Sequence, residues 1–368
     1  MARKLSMLRK PAQIAGKTGL PAGFERALRG WYRRNHRPMP WRSTRDPYRI
    51  WLSEVMLQQT QVITATPYYH RFLERFPTLP DLARARPEAV LAAWAGLGYY
   101  RRARHLHEAA RVVVREHSGV VPRDPEQFAQ LPGVGRYTVG AVMSIAFGLS
   151  IPVLDGNVAR VLSRIGALHI SVREPAGART LWALATEWMP KRDPSEWNQA
   201  LMELGAMVCT PRAPRCGECP VRAQCRAFAL GSPENFPPVA VRRATRRVRR
   251  AIVVIEKGGA LLMTRLSGAL LDGLWEPPGI ELAARQPVQG ALAQELERLG
   301  VHATIVPSRK TVRHLFTDRY IEVELWTGTL ELPLPRRAAL RFVDPKAPRV
   351  AITALAKRVA ASVAPRLR

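Results

Sequence analysis

The chain has 368 residues and carries 57 Lys and Arg against 29 Asp and Glu, a formal net charge of +28 with a pI near 11.3. So positive a balance predicts a polyanionic partner. No apolar run reaches the roughly 18 residues of a membrane span and no Lys-rich amphipathic anchor stands out, which leaves the membrane-surface class without support.

Length predicts two or more domains. Residues 1–20 form a basic N-terminal tail without the apolar core of a signal peptide. Residues 21–230 read as mainly α: 51–63, 87–97, 136–147, 158–165 and 197–208 carry apolar residues at helical spacing, separated by Pro and Gly. A Pro- and Arg-rich linker, 231–248, follows. Beyond it 251–255 and 260–266 flank Lys257-Gly258-Gly259, a hairpin signal, and 288–299 reads as a helix. Residues 320–326 alternate like a strand, so 249–345 is predicted to be a smaller α+β domain. A basic, loose tail is expected over 346–368. There is no internal repeat.

All four cysteines, Cys209, Cys216, Cys219 and Cys225, fall within one loop as C-x6-C-x2-C-x5-C. Four thiolates close a coordination sphere and leave no open position for substrate, so a structural metal centre is expected. An iron–sulfur cluster, a zinc ion and a disulfide-closed loop all remain open on spacing alone. Reduced thiols and no export signal predict a reducing compartment, here the cytoplasm with nucleoid association.

Three further motifs carry chemistry. LPGVG (131–135) lies between two helical segments, and Gly133 and Gly135, followed by Arg136, permit a turn whose N–H groups can grip a phosphate; an ordinary interhelical turn is the plainer reading. In LDGNV (154–158), Asp155 and Asn157 precede a helix: they are good N-caps, and a helix N-terminus also favours an ionised Asp155 facing developing positive charge. Glu54, in WLSEVMLQQTQV, is either a solvated helix residue or an acid whose apolar neighbours raise its pKa. A protonated acid opposite an ionised stabiliser is the arrangement that cleaves glycosidic bonds through a cationic sugar.

In this order WLSEVMLQQTQV, GLGYY, LPGVGRYTVG, LDGNVARVL, NQALMELG and the cysteine loop resemble the adenine DNA glycosylase family (MutY type), within the helix-hairpin-helix superfamily that also holds endonuclease III. The resemblance covers about 25–230 and continues more weakly to about 330. It implies a helix-hairpin-helix glycosylase fold, one [4Fe–4S] cluster and a Nudix-like C-terminal domain. The implied partner is double-stranded DNA with adenine opposite 8-oxoguanine or guanine, bound by a monomer. By motif, Glu54 would protonate the flipped adenine and Asp155 would stabilise the sugar cation, with Tyr137 and Asn157 in support. Trp41, Arg42, Leu57, Val62 and Glu203 would line the base pocket, while Gln59, Leu97 and Tyr99 would wedge into the duplex.

The endonuclease III type has a lysine at the position of Tyr137, and a tyrosine cannot form a Schiff base. The resemblance therefore implies a monofunctional glycosylase. A thymine or uracil mismatch glycosylase on the same scaffold and a non-catalytic cluster-bearing damage sensor are the rival readings. In the C-terminal half, GLWEPPG (273–279) opens a Nudix-box frame that closes on Gly300 and Val301, but Arg285, Ala293, Gln294 and Arg298 stand where the hydrolase needs Glu, Arg, Glu and Glu. Only Glu297 remains, too little for a Mg²⁺ site. The family's Phe-Ser-His lesion loop aligns with Phe316-Thr317-Asp318, which places an acid where the histidine stands.

Overall fold

The computed structural model describes residues 19–238, 245–268, 271–316, 319–335 and 339–363. The chain divides into two compact units, Met1–Arg84 with His105–Val241, and Ala85–Arg104 with Arg242–Arg368.

The first unit is helical. Asp46 accepts from the backbone N–H of Arg49 at 2.9 Å and Pro47 opens the Pro47–Leu57 helix, whose Ile50 to Met56 run is buried without a break. The sequence predicts one helix over 51–63, but the structure stops at Leu57 and restarts at Val62–Arg75. Gln59 causes the break: it adopts a left-handed φ of 60°, which no helix accommodates. Helices at Arg136–Phe147, Gly156–Gly166 and Pro194–Met207 match their predicted segments to within a few residues.

Small residues set how closely these helices pack. A Cβ on Gly140 would lie 2.1 Å from the carbonyl oxygen of Pro152, and one on Gly205 would lie 2.6 Å from the Asn157 Cβ. Asn198 reinforces the first approach: its amide donates to Ser144 Oγ (2.8 Å) and to the Ile151 carbonyl (2.9 Å), pinning the extended segment before Asp155.

In the second unit β1 (Arg246–Val254) lies between β5 (Gly279–Leu282), antiparallel, and β7 (Arg319–Leu330), parallel, and β6 (Ala303–Phe316) pairs antiparallel with β7. The predicted hairpin is only half correct. Gly258 and Gly259, both at positive φ, join β3 (Ala260–Arg265) to the two-residue β2 (Glu256–Lys257), while β1 pairs in the other sheet. The alternation of β1 explains the layers. Ile252 and Val254 pack with Leu355, Ala356 and Val359 of the Ala354–Val363 helix, and Ala251, Val253 and Ile255 pack with Leu292 and Leu296 of the Val288–Leu299 helix. Arginines and glutamates pair across the sheet: Arg249 with Glu324 at 2.8 Å, Arg313 with Glu322 at 3.5 Å, and Arg246 and Arg319 with Glu281 at 3.5 and 3.8 Å.

Residues 85–104, including GLGYY, group with the C-terminal half: Arg104 donates to the Asp272 carbonyl (2.7 Å) and Arg265 pairs with Glu88 (3.1 Å). The expected loose tail is core as far as Val363. Fully buried Glu276 accepts from Thr353 Oγ1 at 2.7 Å and pairs with Arg250 at 2.5 Å, anchoring the start of the last helix. Its basic residues concealed the Leu355, Ala356, Val359 stripe from the sequence reading. Leu355→Ala should accordingly destabilise the protein by about 2–4 kcal/mol, the cost of a buried cavity. Urea unfolding measures this, and a peripheral tail would give almost no change.

Candidate active site

Elements far apart in sequence line one cavity of about 880 Å³ in the first unit. The Pro47–Leu57 helix brings Glu54, the Arg136–Phe147 helix Tyr137, the Gly156–Gly166 N-terminus Asp155 and Asn157, and the Pro194–Met207 helix Met202 and Glu203. All five residues expected to surround the base, Trp41, Arg42, Leu57, Val62 and Glu203, line this same cavity. Trp41 is held edge-on against Tyr69 with ring centroids 5.3 Å apart.

The carboxyls around the cavity lie in different environments. Glu54 is 5% exposed, and the Tyr137 hydroxyl donates to its Oε2 at 2.6 Å. Burial, and less so the nearby Asp155, pushes its pKa up to about 7 against the lowering effects of the Tyr137 bond and Arg42. Glu203 is equally buried, and burial alone would raise it too. Arg37, through its backbone N–H, Nε and Nη2, and Arg42, through both Nη atoms, instead donate to it at 2.8–3.2 Å and hold it at about 2. A buried acid without a cation and a buried carboxylate clamped by two arginines thus face one space.

Asp155 caps its helix: Oδ1 accepts from the Val158 N–H at 2.7 Å and Oδ2 from the Asn157 side-chain amide at 3.0 Å. The sequence reading has the helix N-terminus holding this group ionised. In the structure burial shifts its pKa upward, outweighing the bonds from Val158 and Asn157.

The helix continues the connection to the cysteine loop. Arg160 donates to Asn157 Oδ1 (2.8 Å) and to the carbonyls of Gly205 (2.8 Å) and Cys209 (2.7 Å). Arg164, 2% exposed, donates to Cys209 Sγ (3.3 Å) and to the carbonyls of Thr210, Pro211 and Phe236. The four cysteines line a second, small cavity and none is in a disulfide. Burial pushes the Cys219 thiol up to about 12 and raises Cys216 and Cys225 as well. The four cysteines around one space suit a positive inorganic centre, the kind of group that holds thiols as thiolates.

The expected DNA-contacting residues are less uniform. Gly133 has a left-handed φ of 74°, and any Cβ there would lie 2.6 Å from the His105 Cβ; Gly135 is extended and open, so the glycine requirement rests on Gly133 alone. Gly135 caps the next helix without a side-chain bond, leaving first-turn N–H groups for an anion. Arg136 stacks over the Trp182 ring at 4.0 Å. Gln59 and Tyr99 are exposed at left-handed φ, whereas Leu97 is buried, with 6% exposure. Phe316 ends β6 in register with Arg319; Thr317 and Asp318 lie outside the described residues.

Residues 52–185 match the HhH-GPD superfamily of base excision DNA repair proteins, 209–225 the iron-sulfur binding domain of endonuclease III, and 250–361 the NUDIX domain. The chain is 39% identical over 373 residues to the adenine DNA glycosylase of Rattus norvegicus, covering 86% of this chain and 72% of that one. It belongs to the adenine DNA glycosylase family. The Homo sapiens member is likewise 39% identical, over 85% of this chain and 68% of its own, and the Mycolicibacterium smegmatis member is 41% identical over 67% and 84%. Among solved structures, a thermostable thymine-DNA glycosylase superposes with a TM-score of 0.52 at 31% identity, over 56% of this chain and 95% of that one. An iron–sulfur-binding loop and a Nudix-like C-terminal domain therefore accompany a glycosylase domain in this family member.

Sequence reasoning did not single out Arg37, Arg160, Arg164 or Met202, whose partners, side-chain or backbone, lie 45 to 166 residues away and leave no local spacing signal. Gly205→Ala tests the helix contact beneath the site. It should cost about 1–3 kcal/mol in urea unfolding, and by displacing Asn157 it should slow excision as well.

Proposed function

We propose that the chain is a monofunctional glycosylase that flips adenine, mispaired with 8-oxoguanine or guanine, out of duplex DNA and leaves an abasic site. The observation that carries this reading is the buried Glu54, pushed up to about 7 and bonded to Tyr137, across one cavity from Asp155. Glu54 would protonate a ring nitrogen of the flipped base, making it a better leaving group, and Asp155, held by Val158 and Asn157, would stabilise the sugar cation. Trp41, Leu57 and Val62 would cover the base, and the clamped Arg42–Glu203 pair would meet its polar edge. Tyr137 offers no amine, which supports base removal without strand cutting. Gln59 and Tyr99, exposed at left-handed φ, suit the role of filling the vacated stack. Gly133, Gly135 and Arg136 would hold the backbone at the hairpin.

The Nudix-like domain would read the base opposite adenine through Phe316 and Thr317, with Asp318 weakening any preference for 8-oxoguanine. The cysteine loop would carry one [4Fe–4S] cluster. The four free cysteines around one small cavity supply the four-thiolate ligand set that such a cluster takes. The cluster would supply structural cross-linking, fixing Arg212, Arg215, Arg222 and Arg226 beside a phosphate backbone. A monomer at the nucleoid, in a reducing compartment, accords with this partner.

The test is single-turnover excision on duplexes with adenine opposite 8-oxoguanine, guanine and cytosine, and with a thymine–guanine pair for the second reading, which rests on the likeness to the thymine-DNA glycosylase. Adenine opposite 8-oxoguanine and guanine should be excised and the strand should stay intact until alkali is added. Glu54→Gln should bind the mismatch yet excise about 10²-fold more slowly or worse. Because the acid acts protonated, the wild-type rate should be level at low pH and fall as pH rises through about 7.

Purified protein should be brown, with about four irons. Cys216→Ser should weaken duplex binding more than it slows excision of bound substrate; stoichiometric zinc in a colourless, active preparation would remove the cluster.

A further inference from the structure

Tyr137 has one hydroxyl hydrogen and two acceptors within reach, Glu54 Oε2 at 2.6 Å and Met202 Sδ at 3.4 Å. Met202 lies on the Pro194–Met207 helix immediately before Glu203 and lines the catalytic cavity. With Glu54 protonated, two arrangements satisfy this cluster. In one, Tyr137 donates to Oε2 and the acid's own hydrogen sits on Oε1, the oxygen left to serve the cavity. In the other, Glu54 turns its hydrogen to the Tyr137 oxygen, and Tyr137 donates to the sulfur. The second arrangement silences the acid, because its proton is then spent inside the helix contact.

We propose that Met202 is a positioning residue for base excision: its thioether, a poor acceptor, leaves the Tyr137 hydrogen committed to Glu54 and so keeps the acid's proton turned toward the substrate. This rests on the reading of Glu54 as the general acid. The choice between arrangements is set by acceptor strength at position 202, since a thioether accepts far more weakly than an amide or carboxyl oxygen. The other charged groups acting on the cluster do not compete for that hydrogen. Asp155 is occupied by Val158 and Asn157, and Arg42 is occupied by Glu203 and the Arg37 carbonyl. Both act on Glu54 through space, Asp155 raising it and Arg42 lowering it. Leucine would fill the same volume and offer no acceptor, whereas glutamine would offer a strong one on a stem of similar length.

The experiment compares Met202→Leu with Met202→Gln in single-turnover excision across pH. Met202→Leu, which keeps the volume and removes the acceptor, should keep the wild-type alkaline midpoint and lose less rate than Met202→Gln. Met202→Gln should fall by about tenfold or more and move the alkaline midpoint to higher pH, because the amide stabilises the protonated arrangement in which Glu54 donates to Tyr137. A pocket merely disturbed by the substitution would lose rate with its midpoint unmoved, and that outcome overturns the proposal, as does equality of the two variants. If Met202→Gln fails to fold, Met202→Asn offers the same amide oxygen and carries the same expectation. In a Tyr137→Phe background the difference between the leucine and glutamine variants should vanish; its persistence would also overturn the assignment. Glu54→Gln separates the two levels. Retained activity there removes the acid itself, while a silent Glu54→Gln beside indistinguishable position-202 variants removes only the role of Met202.

Discussion

The active-site half depends on one close approach, that of the Gly156–Gly166 and Pro194–Met207 helices at Gly205, where a single methyl group would overlap Asn157. Because the two backbones meet there, the cap that holds Asp155 stands beside the helix that supplies Met202 and Glu203. The same contact brings the Gly205 carbonyl within reach of Arg160, whose guanidinium also holds Asn157 and the backbone of Cys209. Arg164, one turn on, ties the helix to the rest of the cysteine loop. One helix thereby spans the distance from the Asp155 cap to the cysteine loop. Its register is set at one end by a carboxylate and at the other by the sulfur and backbone of Cys209.

Electrostatic contrast around the cavity follows from which carboxyl has guanidinium partners. Glu54 and Glu203 are similarly buried, so desolvation pushes both upward. Only Glu203 receives Arg37 and Arg42. The helix carrying Glu54 presents apolar residues over almost all of its surface and gives that group a phenol in place of a cation. A proton held near neutrality and a charge held permanently are thus set apart by geometry rather than by residue type.

Much of this was legible in the sequence, and what was not has a physical reason. Helix segments, the four-thiolate loop, the hairpin turn and the candidate acid were read from local spacing, and the structure places Glu54, Tyr137, Asp155 and Asn157 around one cavity. Gln59 broke a helix that periodicity ran through, because backbone strain at one residue carries no hydropathy signal. Leu97 is buried in the folded chain, whereas in sequence an apolar side chain serves core or interface equally well. Arg37 and Arg160 went unnoticed among 57 basic residues, as a clamp and a solvated charge look alike until folding pairs them. The final helix was lost in the same way, its buried stripe diluted by Lys357 and Arg358.

The Arg–Glu pairs across the second unit's sheet change what the formal charge means. Arg246, Arg249, Arg250, Arg313 and Arg319 each already have a carboxylate partner. Cations so engaged cannot displace counterions from a nucleic acid without first giving up their own partners. The steepness with which affinity falls as salt rises counts phosphates newly neutralised, at about 0.9 per contact on duplex DNA. The +28 is a net figure in which these glutamates are already subtracted, so the surplus positive charge resides in basic residues outside these pairs rather than in the paired arginines of the sheet.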